Sequence, residues 1–273
     1  MPAEPLERCI FCGSKGPLTN EHIIPRWVHP YIPRTARSYR TLRAVQHQDR
    51  STFKIGRRSG DPRDWKVRCV CGNVCNNGWM RQLEHKVRPI LVPILTGKHT
   101  RISPAQQKII AAWATMKAMV AEYDDPGFVT THHTQRKRLR NKQLPPENGW
   151  AIWLGYFPRA IPIPTWTSHP FLALSRKQRE ARRHDLATYY NAQASTQVIG
   201  QLFIHVIRMP EPKFVRKWWF PRLPDGGILV RIWPVADFSI VWPTFALSER
   251  DAYLASRAFR RRAEAAMFRG QNS

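Results

Sequence analysis

The chain has 273 residues, 42% of them hydrophobic and 11% aromatic, which is enough to bury a core in one large domain or two small ones and excludes a disordered chain. Lys and Arg number 44 against 19 Asp and Glu, a formal charge of +25. An excess of that size points to a polyanion, nucleic acid first, because neutralising phosphates releases condensed counterions; its spread along the chain argues against a membrane-surface helix.

The first landmarks are thiols. Cys9 and Cys12 form one close pair; Cys69, Cys71 and Cys75 gather further on. No apolar leader precedes them, so reduced, metal-bound cysteines in a cytoplasmic protein are expected rather than disulfides. Between the two groups, residues 25–64 are rich in Pro, Arg and Gln with poor hydrophobic periodicity, and read as an extended basic insertion or a plain surface loop. Residues 76–87 read as a helix, with Trp79, Leu83, Val87 and Ile90 at helical spacing and Pro89 ending or bending it.

Ser103 and Pro104 look like an N-cap and first helical position. The helix they open runs to about Tyr123, its buried side carrying Ile109, Ile110, Trp113, Met116, Met119 and Val120. The apolar stretch at 109–121 is too short for a membrane span and carries Lys117. The basic run at 136–142 is either a solvated helix face or a phosphate contact. From Trp150 the period changes, and residues 150–157, 197–207 and 228–233 read as strands, the last preceded by an Asp225-Gly226-Gly227 turn. Ser248 looks like the cap of a final helix reaching roughly Met267. Arg clusters at 176–183, 216–217 and 260–262, interleaved with Trp218 and Trp219, suit phosphate contact and base stacking or else a solvated surface. The expected division is a metal-bearing unit over 1–98 and a basic, aromatic-rich α+β unit with antiparallel strands over 99–273.

A thiolate-bound zinc wants four ligands in two short chelate loops. Cys9 and Cys12 have the usual spacing; Cys71 and Cys75 have one residue more than usual, and Cys69 is a spare thiol that could replace Cys71. Glu21, His22 and Asn76 accompany them, residue types that activate water against a phosphodiester. The segments CIFCG, NEHIIP and CNNGWM resemble the zinc-bearing branch of the HNH, or ββα-metal, nuclease superfamily, over residues 9 to 90. The resemblance implies an N-terminal ββα-metal, treble-clef-like fold with structural Zn²⁺ on Cys9, Cys12, Cys71 and Cys75. It makes His22 the general base and Glu21 a ligand to one catalytic Mg²⁺ or Mn²⁺. Asn76 would hold the loop that bears His22. A second ligand should come from the helix: His85 fits by motif spacing, Glu84 by its place at the flank of the apolar face. The function expected is a metal-dependent endonuclease, on double-stranded DNA before RNA. The alternatives are a non-catalytic zinc-dependent nucleic-acid-binding protein and an RNase or toxin-like effector.

Overall fold

A computed structural model of the chain describes residues 6–32, 38–47, 50–158, 165–171, 191–210, 223–235 and 237–256, with side chains described outside 38–58, 128 and 165–171. The expected Arg clusters at 176–183, 216–217 and 260–262, and the final helix beyond residue 256, lie outside the described residues. The architecture is mixed helix and antiparallel sheet, α+β.

Strand β1 (Leu18–His22) pairs antiparallel with β4 (Lys66–Cys71). Between them the chain makes a second antiparallel ribbon, β2 (Ser38–His47) with β3 (Arg50–Ser59), which pairs with no other strand among the described residues. The insertion expected to be extended and basic or else a plain surface loop is thus extended, a two-stranded ribbon, with short 3-10 turns at Arg26–Tyr31 before it and Pro62–Asp64 after it. After β4 the backbone enters a wide π-type turn, Gly72–Met80, and continues as α1 (Arg81–Leu95). The helix does not end at Pro89: Pro89 and Pro93 both lie inside it. Each proline forfeits one helical hydrogen bond, to the carbonyls of residues 85 and 89, but both of those residues are exposed and water can serve them. Leu83, Val87, Leu91, Ile94 and Leu95 bury the opposite face and hold the helix together.

A short strand, β5 (Thr100–Ile102), leads to α2 (Pro104–Ala121), which opens on a full capping box: Ser103 Oγ accepts from Gln106 N, and Gln106 Oε1 accepts from Ser103 N. Its expected one-sided burial is exceeded, since every residue from Ile110 to Ala121 is buried. Ala111, Ala112, Ala114 and Ala118 keep the helix slim enough for neighbours to close around it: α1, β4 and three later elements. Those are α3 (His133–Lys142), β9 (Leu202–Arg208) and β10 (Leu229–Trp233). In α3, Lys137 and Arg138 are solvated, whereas Arg136 turns inward.

The main sheet has the order β10-β6-β9-β8-β7, all antiparallel, with β6 at Trp150–Tyr156, β7 at Thr165–Phe171 and β8 at Ala192–Ile199. The single strand expected over 197–207 is two, β8 and β9, reversing at Gly200-Gln201, where Gly200 takes φ +55°. A last short strand, β11 (Ile240–Trp242), pairs with β5. Ser248 Oγ accepts from Asp251 N at the head of a helix over 249–256. Along β6 the side chains alternate between two cores. Trp150, Ile152 and Leu154 join the larger one with α1, α2 and β4; Ala151 and Trp153 join a smaller one with Phe157, Leu247 and Ala255. The larger core runs without a break from Cys9 to Trp242, across the expected boundary at residue 98.

Candidate functional site

The two cysteine groups converge. Cys9 Sγ lies 3.6 Å from Cys75 Sγ, Cys12 Sγ lies 3.6 Å from Cys71 Sγ, and the four sulfurs all fall within 4.8 Å of one another. Zinc–sulfur bonds of about 2.3 Å in a tetrahedron put sulfurs ~3.8 Å apart, so the cluster has the dimensions of a structural metal site such as zinc. The hydrogen bond shared by Cys9 and Cys75 holds the Cys9 thiol down at about 4 and pushes Cys75 up, while burial pushes Cys71 up. A divalent ion relieves that conflict by taking all four as thiolates.

Local structure explains the spacing. The first chelate loop is a tight turn, with Gly13 N donating to Cys9 O at 2.9 Å and Gly13 at φ +74°. Ile10 N donates to Cys69 O at 3.1 Å, laying the loop along β4. In the second loop the extra residue is absorbed by the wide turn, which brings Cys75 back beside Cys71. Cys69, the spare thiol, is not in the cluster. The β1–β4 register shifts beside it, between Thr19 and Asn20, and it is wholly buried, its thiol pushed up by desolvation. Phe11, within the first chelate loop, and Trp79, at the end of the wide turn, meet edge to face at 5.0 Å. Arg136 reaches from α3 to donate from Nε to Ile10 O at 3.0 Å.

Beside this cluster, β1 carries Glu21 and His22 on alternate sides. Asn76 Nδ2 donates to Thr19 Oγ1 at 2.9 Å, and Thr19 Oγ1 donates to Val70 O at 3.0 Å, so the turn is tied to the strand three residues before His22. Glu21 is 7% exposed and Glu84 of α1 approaches it, but a third side chain stands between them. Lys117 Nζ lies 2.5 Å from Glu21 Oε1, 2.7 Å from Glu84 Oε1 and 2.8 Å from His22 O. Burial works against this ammonium, yet Glu21 and Glu84 outweigh it and the Lys117 pKa rises. Burial, with the like charge of Glu84, pushes the Glu21 carboxyl up against the pull of Lys117. His85 is exposed on α1 and is not part of this cluster. Of the ligands expected for Mg²⁺ or Mn²⁺, Glu21 with either Glu84 or His85, the two carboxylates are therefore closed on an internal cation, and the residues as placed do not fit a divalent ion.

His22 is half-buried at the strand end. Arg26 Nε donates to His22 Nε2 at 3.4 Å, which makes Nε2 the unprotonated nitrogen. Lys66 pairs with it across the strand, and His29 lies 6.5 Å away, ring to ring, with its own Nε2 donating to Arg63 O at 3.1 Å. The His22 pKa is pushed down to about 4, by burial first and then by the charges of Lys66, Arg26, Lys117 and His29. A neutral imidazole among cations can accept a proton while an anion sits beside it.

The chain matches no family model, no curated protein and no solved structure. Its chemistry is read from these side chains. Among the described residues, no helix is long and apolar enough to cross a membrane. Sequence reasoning missed three participants, Lys117, Arg26 and Lys66. Lys117 had a visible signal: it is the single charge in the apolar stretch 109–121, and a lone charge inside a helix that is otherwise buried needs a partner.

Proposed function

We propose that the protein hydrolyses phosphodiester bonds of nucleic acid, duplex DNA before RNA, with His22 as general base. The observation that carries this is the neutral imidazole held among Arg26, Lys66 and His29 at the end of β1. A phosphodiester entering there would be met by Arg26 and Lys66, both exposed. With Arg26 drawn onto the phosphate, Nε2 is released to take a proton from water. The water oxygen bonds to phosphorus, the bond to the leaving oxygen breaks, and the cations stabilise the charge that develops. The order of the parts supports the likeness to the ββα-metal superfamily: a strand pair, a helix after the second strand, and a thiol cluster compatible with zinc at their junction.

The β2–β3 ribbon supports nucleic acid as the substrate. Its register sets Arg40 opposite Arg57 and Arg43 opposite Lys54. Directly opposed like charges destabilise a ladder, and a polyanion reverses that penalty. A two-stranded ribbon also has the width to enter the major groove of B-form DNA.

Plasmid nicking by zinc-loaded wild type and His22→Ala tests the assignment. Loss of a general base lowers the rate by roughly 10²–10⁴-fold, so cutting should all but vanish while binding persists. Undiminished cutting by the variant removes His22 from the mechanism, and preferential cutting of RNA moves the substrate to RNA. The closed Glu21–Lys117–Glu84 cluster favours a second reading, a zinc-dependent protein that binds nucleic acid without cutting it. Wild type that binds duplex but never nicks it, with or without Mg²⁺ or Mn²⁺, establishes that second function.

A further inference from the structure

We infer that the cation belonging between Glu21 and Glu84 is the protein's own, and that Lys117 excludes a divalent ion from the centre. An ammonium has three N–H donors and no acceptor. Lys117 Nζ donates to Glu21 Oε1 at 2.5 Å and to His22 O at 2.8 Å, and forms an ion pair with Glu84 Oε1 at 2.7 Å. Its side chain is 0% exposed, and it rises from a helix whose residues are buried from Ile110 to Ala121. A divalent ion bridging the same carboxylates would have to strand the ammonium in an apolar core, an uncompensated buried charge. It would also have to shed waters that Mg²⁺ gives up reluctantly. The lysine supplies both carboxylates with a counter-charge, without an ion that must be bound from solution.

The consequence for chemistry rests on the function proposed above: cleavage from His22 proceeds without an added divalent ion, the phosphate charge being met by Arg26 and Lys66. Occupancy of the carboxylate pair is independent of that function and is tested by itself. Zinc-loaded protein, with its thiols already engaged, is titrated with Mn²⁺ while the signal of free Mn²⁺ is followed by electron paramagnetic resonance. Wild type should leave that signal undiminished. Lys117→Met should take up one Mn²⁺ per chain, and adding Glu84→Gln to it should abolish the uptake. Stoichiometric uptake by wild type, lost in Glu84→Gln alone, overturns the inference. Because Lys117→Met sets two carboxylates together in the core and can fail to fold, the wild-type and Glu84→Gln titrations carry the decision. They carry it whether or not the protein cuts: absence of nicking under every condition defeats the function, not the occupancy.

Discussion

The ring of His22 is kept neutral by its surroundings, and that has a cost in acid. Its pKa falls from an ordinary 6.5 to about 4 on folding. Above about pH 6.5 both folded and unfolded chains carry a neutral ring and its contribution to stability is constant. Between about pH 6.5 and about pH 4 the unfolded chain binds a proton that the folded chain refuses, so stability falls with pH across that window and levels out below it. His22→Gln, neutral throughout, should flatten part of the slope. Urea denaturation of both proteins across the window measures it, and identical slopes would mean that the ring titrates normally. A bound phosphodiester offsets Arg26 and Lys66 and should draw the ring back toward 6.5, where it is a better base. At this scale the sequence was informative wherever a residue type has one use. Four cysteines at chelate spacing converge as expected. Between Glu84 and His85 the apolar flank decided the geometry and motif spacing did not, because the face a helix buries is set by its neighbours. Lys117 was illegible as a partner because its acids lie 96 and 33 residues away, and only the packed fold brings α1, α2 and β1 together.

Among the elements, the β2–β3 ribbon makes the strongest demand on a partner. Its register places Arg43, Lys54, Arg50 and Arg58 on one face, while Leu42, Ile55, Ala44 and Phe53 share the other with Arg40 and Arg57. Isolated two-stranded ribbons are marginal in water, and this one opposes cations to cations. Exchanging Arg43 and Lys54 for Gln should weaken duplex binding and reduce the salt slope of log K by ~2, at roughly 0.9 for each lost phosphate contact. Fluorescence anisotropy over a range of salt concentrations reads both, and an unchanged slope takes the ribbon out of the interface. The ribbon escaped sequence reading because cations fall on both faces, which blurs the alternation that betrays a strand. β8 and β9 blurred it differently: both are buried on both sides, so they read as one apolar run in which Gly200 alone marked the reversal. For α1 the prolines misled, since what decides helix length here is the buried face beyond them.

For the whole molecule, the decisive feature is that the thiol cluster and the main sheet share one core. Cys9, Phe11 and Cys75 pack in the same buried assembly as α2, Trp150 and Ile232, and α3 reaches back through Arg136 to the first chelate loop. Composition promised a core but could not say that residues on the two sides of position 98 would build it jointly. Loss of a structural metal should then be felt far from the sulfurs. Apparent binding free energies for structural zinc run to about 10–16 kcal/mol in isolated fingers, comparable with the ~5–15 kcal/mol that stabilises an entire domain. Stripping the metal also leaves four crowded thiols, two of them, Cys9 and Cys75, buried in the shared core. Chelation should therefore unfold the chain in one cooperative step. Far-ultraviolet circular dichroism, reporting helices, and fluorescence of the fully buried Trp113, Trp150 and Trp242 should fall together as metal is withdrawn. If tryptophan emission keeps its folded value while the metal leaves, the sheet half stands on its own, and the shared core is a contact between two independently stable units.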